Sequence, residues 1–137
     1  MIPTNELRIG SKYINHADKI QDWGLSEFQW LHLGVPIENI IKAPIPLTPE
    51  ILEKCGFGQL PHFTVGGNWI KGIGRNRFIS IACVGTPNEI VFLTEEEGKE
   101  VKAVIVLRNY DYDGRTYLHQ LQNIIHAITG EELTVNL

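Results

Sequence analysis

TYLHQLQNIIHAITG, running from Thr116 to Gly130, is the stretch that decides how this chain can fold. Its apolar residues fall at Tyr117, Leu118, Leu121, Ile124, Ile125 and Ile128, the three-and-four spacing that lines one face of an α-helix. Gly130 stands where such a helix must stop, at a position that favours a left-handed backbone. The opposite face carries His119, Gln120, Gln122, Asn123, His126 and Thr129. It has no carboxylate, lysine or arginine, so exposed ion pairs do not define it. His119, Gln122, Asn123 and His126 are expected to form one polar stripe, solvated or turned toward a partner. On that reading Gln122→Ala costs less than about 1 kcal/mol. A helix with so apolar a face must cover another surface, and the preceding chain supplies strands.

Working back from the helix, the region from Phe63 onward reads as β-structure. Gly66-Gly67-Asn68 and Gly74-Arg75-Asn76 look like hairpin turns. Phe78 to Val84 is nearly continuous apolar sequence, as in a central strand. Thr86-Pro87-Asn88 turns the chain into Glu89 to Thr94, and the acidic run Glu95-Glu96-Glu97 leads to Val101 to Leu107. These spacings describe an antiparallel meander covered on one face by the C-terminal helix. Leu133, Val135 and Leu137 alternate after Gly130 and would add an edge strand. Further upstream, Thr48 is a helix N-cap, with Pro49 at the first helical position and Glu50 in the first turn. Leu47 and Leu52 are placed as a hydrophobic staple, and Gly56 ends this helix after about two turns.

The N-terminal third gives a strand-and-loop reading. Leu7 and Ile9 alternate with charged neighbours, Lys12 to Asn15 resumes that strand, and Lys19 to Trp23 and Phe28 to Leu33 read as further strands. For the last of these a helical turn from Ser26 is the alternative. Val35 to Lys42 is apolar but broken by Pro36. The expected class is α+β: a small antiparallel sheet packed by a long C-terminal helix, with one short helix mid-chain. Residues 1–137 form one domain, or one subdivided into a strand-rich part, 1–46, and an α+β part, 47–137.

Composition narrows the function classes. The 137 residues carry a net charge of −4, which opposes the positive field that a phosphate backbone needs. Cys55 and Cys83 each lie in an apolar run and read as reduced, buried thiols of a cytoplasmic protein. The N-terminus lacks a basic region with an apolar signal core, and no stretch has the length of a membrane span.

Four groupings could carry chemistry. Asn109, Asp111 and Asp113, followed by Gly114, match the first half of an EF-hand-type calcium loop. The position of the bidentate glutamate is held by Gln120, so a polar strand-to-helix turn, with Asp113 or Thr116 capping the helix, is the expected state and no metal is assigned. His119 and His126 lie two turns apart, about 10.5 Å along one helix, too far to share a zinc ion. Cys55, His32, His62 and His119 could assemble a small hydrolase or transferase site only if the fold gathered them. Trp69, Lys71, Arg75, Arg77 and Phe78 form a basic, aromatic-interleaved hairpin that could track single-stranded nucleic acid and stack its bases.

Asn5 to Gly10 (NELRIG), Pro44 to Phe57 (PIPLTPEILEKCGF) and Tyr117 to Leu133 (YLHQLQNIIHAITGEEL), in that order, resemble an uncharacterised family of small proteins of Bacteroidetes bacteria, often encoded in phages and mobile elements. The resemblance implies a genomic setting and no catalytic residues or cofactor. The expected function is a non-catalytic accessory or interaction protein with a protein partner. A single-stranded nucleic-acid module and a small enzyme are the alternatives.

Overall fold

The helix over the C-terminal stretch forms because its sequence satisfies its own ends. In the computed structural model, which describes residues 2, 4–59, 69–81, 89–94, 102–108 and 116–136, this helix spans Leu118–Thr129. The Gln120 side chain accepts a hydrogen bond from the Tyr117 backbone N–H at 3.0 Å, closing the first turn. Gly130, at φ +75°, donates its N–H to the His126 carbonyl and ends the last turn. Thr116 is buried, and among the described residues its hydroxyl makes no hydrogen bond, so it does not cap the helix.

In chain order the elements are β1 (Lys12–Ile14), β2 (Ile20–Asp22), α1 (Leu25–His32), α2 (Pro49–Lys54), β3 (Gly58–Gln59), β4 (Trp69–Gly74), β5 (Arg77–Ile81), β6 (Glu89–Thr94), β7 (Lys102–Arg108) and α3 (Leu118–Thr129). Short 3-10 turns lie at Thr4–Glu6 and Ile37–Asn39. The class is α+β, with β1–β2 as a hairpin and β3 to β7 as an antiparallel meander in sequence order.

β5 is the middle strand of that meander, as its apolar run predicts, and Ile79, Ser80 and Ile81 bury both of its faces. The turn at Arg75-Asn76 joins β4 to β5, with Asn76 taking the positive φ of 56°. The Gly66-Gly67-Asn68 turn lies outside the described residues. α2 starts as its sequence predicts: the Thr48 hydroxyl accepts from the Ile51 N–H at 3.2 Å, and Pro49 takes the first helical position.

Among the described residues, two buried clusters hold the chain together. The larger joins α2 and α3 to the meander through residues such as Leu52, Trp69, Ile79, Ile81, Leu118 and Leu121. The smaller contains Ile2, Leu7, Tyr13, Trp23, Ile40 and Ile41. Leu118 N–H donates to the Ile45 carbonyl at 2.8 Å, and Leu47 N–H to the Thr116 carbonyl at 3.1 Å, so the segment leading into α2 is stitched to the start of α3. Among the described residues no helix is long and apolar enough to cross a membrane.

Three expected strands take other forms. Leu7 and Ile9 belong to turns: Leu7 N–H bonds the Thr4 carbonyl, and Gly10 adopts φ +97°. Phe28 to Leu33 is not a strand: the helical alternative from Ser26 holds, and α1 covers all of it but Leu33. Leu133 and Val135 pack against the larger cluster without entering a ladder, and Asn136 N–H ties the tail to the Lys54 carbonyl of α2.

Candidate functional site

The polar side of α3 is not a solvated stripe. His119 and Gln122 are each 1% exposed, and the groups hydrogen-bonded to their side chains come from the chain's own N-terminal segment. Gln122 donates to the Gly10 carbonyl at 2.9 Å and accepts from the Lys12 N–H at 2.9 Å, matching both ends of its amide to backbone. Asn123 donates to the Glu6 carbonyl at 2.7 Å and accepts from Arg8 Nε at 3.0 Å. Arg8 also reaches the Gln122 carbonyl at 3.0 Å and pairs with Glu132 just beyond the helix. His119 Nε2 lies 2.8 Å from the Glu6 carboxylate, and burial holds its pKa below the ordinary value against the pull of that carboxylate. His126 is half-buried. His119, Gln122 and Asn123 thus form an internal clasp whose partner is the segment from Glu6 to Lys12.

The basic hairpin fails as a stacking surface for a geometric reason. Trp69 is buried in the larger cluster and pairs with Ile81, whereas Phe78 pairs with Gly72 and lies on the other face of the sheet. Lys71, opposite Ile79, shares the Trp69 face and lines a cleft with Glu131 and Glu132. Arg77 lies against Gly74, where an added Cβ would meet its guanidinium at 2.7 Å, and Arg75 is exposed at the turn.

Cys55 is buried, and its thiol is pushed up to about 11, chiefly by burial. This is the opposite of an activated nucleophile. His32 is exposed at the end of α1, while His62 lies outside the described residues, as do Asn109, Asp111 and Asp113. No group of three or more metal-binding side chains occurs among the described residues.

A different site emerges around α1. Its only fully buried residue is Glu27, 4% exposed, while Leu25, Phe28 and Leu33 beside it are exposed. The Glu27 carboxylate accepts from the Gly24 N–H at 2.6 Å and from Gln21 Nε2 at 3.0 Å, with the Tyr13 hydroxyl at 3.5 Å. Burial, and then the neighbouring Glu27, push the Tyr13 phenol up to about 12, so it stays protonated. Behind this network Trp23 packs edge-on between Tyr13 and Phe28, with ring centroids 5.8 and 5.5 Å away. Gly34, at φ +92°, ends the helix and lets Val35 N–H turn back to the Trp30 carbonyl at 2.9 Å.

The same elements enclose an open cleft of about 450 Å³ between the β1–β2 hairpin, the end of α1 and the Ile37–Asn39 turn. Trp30 forms one wall, and Asn15, Gln21 and Asn39 supply amides. Neither α1 nor the cleft is signalled by a motif. The sequence cue that was available is Glu27 three residues after Gly24, a carboxylate placed to hold the first turn of a helix. No protein-family model, curated protein or solved structure matches the chain.

Proposed function

We propose that this chain is a non-catalytic accessory or interaction protein of a phage or mobile element, and that it meets a protein partner with the outer side of α1. The observation that carries the reading is the polarity of that helix: its Glu27 carboxylate is buried, while Leu25 at its start and Leu33 just past its end stand 69% and 79% exposed. Single exposed apolar residues are common, but Leu25 and Phe28 on α1 and Leu33 just after it leave apolar area concentrated at one short element, suited to protein contact. The phage or mobile-element setting rests on the resemblance carried by NELRIG, PIPLTPEILEKCGF and YLHQLQNIIHAITGEEL. The deactivated Cys55 thiol speaks against the small-enzyme alternative.

The test is affinity capture from the bacterial host followed by mass spectrometry, with wild type beside a Leu25→Asp/Leu33→Asp variant of unchanged melting temperature. One protein retained by wild type and lost by the variant is expected. Equal capture by both would remove α1 from the interface.

A further inference from the structure

We propose that the cleft beside α1 binds a neutral sugar ring. This goes beyond the partner surface, because Leu25 and Leu33 are not among its lining residues.

The first argument is the orientation of its amides. Asn15 Oδ1 accepts the backbone N–H groups of Ala17 and Lys19, at 2.9 and 3.0 Å, so this end of the side chain must be the oxygen. Its Nδ2 therefore donates to Gln21 Oε1 at 2.8 Å. Gln21 Nε2 in turn donates to the buried Glu27 carboxylate at 3.0 Å. Backbone donors at one end and a carboxylate at the other set the direction of the whole chain. Each amide nitrogen keeps a second N–H beyond the bond it makes in this chain. The Asn39 side chain, with no hydrogen bond among the described residues, adds a donor and an acceptor.

The second argument is what the walls lack. Among the described residues no lysine, arginine, aspartate or glutamate lines the cleft, and the one histidine there, His16, has its Nε2 engaged 2.7 Å from the Glu38 carbonyl, so no fixed charge waits for a phosphate or carboxylate. Lys42, close by in the fold, is already bound to Asp18. A purely apolar ligand would strip water from amides without replacing its hydrogen bonds. A pyranose meets both conditions: its hydroxyls donate and accept, and its weakly polarised C–H face can lie on an indole. Trp30 is 42% exposed and offers that indole, with Val35 and Ile40 as apolar surroundings. The volume lies within the range of about 300–1,000 Å³ usual for small-molecule sites.

Tryptophan emission gives a direct readout, since Trp23 and Trp69 are buried and Trp30 is the accessible indole. The probes are soluble tetrasaccharides of glucose, mannose, galactose, xylose and N-acetylglucosamine, titrated to millimolar concentration and repeated by calorimetry. At least one is expected to saturate with a blue shift. Trp30→Ala, with an unchanged circular dichroism spectrum, should weaken it by at least about tenfold. Trp30→Phe should recover part of the loss, while Leu25→Asp/Leu33→Asp should leave sugar binding intact even where it abolishes partner capture. Binding by none of the five, binding that survives Trp30→Ala, or saturation by nucleotides or acidic sugars alone would overturn the proposal.

Discussion

Gln122 shows how far a single residue's role depends on what faces it. In the helix it reads as one more polar side chain, yet it is buried and holds Gly10 and Lys12 backbone groups at 2.9 Å each. Truncation would leave a carbonyl and an N–H without partners, so Gln122→Ala is expected to cost about 1–3 kcal/mol in urea unfolding, not the sub-kilocalorie effect of a solvated position. His119 sets a pH dependence at the same interface. Its folded pKa is lowered by burial, so below the unfolded value near 6.5 the unfolded chain binds a proton that the folded chain resists. Its contribution is therefore complete above about pH 6.5 and is lost as pH falls toward the lowered folded value. Urea unfolding across that window should show wild-type stability declining with acidification, and His119→Gln should flatten the decline. An unchanged slope would place the proton uptake on other groups.

Among the elements, α1 and α3 respond oppositely to the same substitution. Leu121 and Ile125 of α3 face the larger cluster, and an aspartate there would be an unpaired charge in apolar surroundings. Leu121→Asp and Ile125→Asp should each destabilise by more than about 4 kcal/mol or prevent folding, which thermal melts would show directly. Leu33→Asp, just after α1, should stay within about 0.5 kcal/mol of wild type because that side chain faces water. The contrast follows from packing, since both helices contain apolar residues at helical spacing. α1 has only eight residues, and its first turn is held by Glu27 on Gly24. It stands on the smaller cluster through Leu31 and the Trp23–Phe28 contact.

At the scale of the whole molecule, a net charge of −4 and a hairpin whose Trp69 is buried leave little for nucleic acid to hold. Fluorescence anisotropy with a labelled random single strand should give no binding tighter than about micromolar at physiological salt. Submicromolar, salt-sensitive binding lost on replacing Lys71, Arg75 and Arg77 by alanine would contradict this. Local, periodic signals determined much of the fold: the apolar stripe and Gly130 stop of α3, the Thr48-Pro49 start of α2, the turn at Asn76 and the central position of β5. Each is written within a few neighbouring residues, so the sequence alone carries it. α1 was only partly legible: a helical turn from Ser26 stood as the alternative, but Phe28 and Trp30 alternate like strand residues, and the carboxylate holding the helix draws partners from Tyr13 and Gln21, up to 14 residues away. The clasp on α3 was illegible for the same reason at greater range, with Arg8 and Asn123 separated by 115 positions. Spacing within the chain determined which faces are apolar. Only tertiary contact decided which polar groups are buried, because a buried amide or carboxylate is defined by the partners that replace its water.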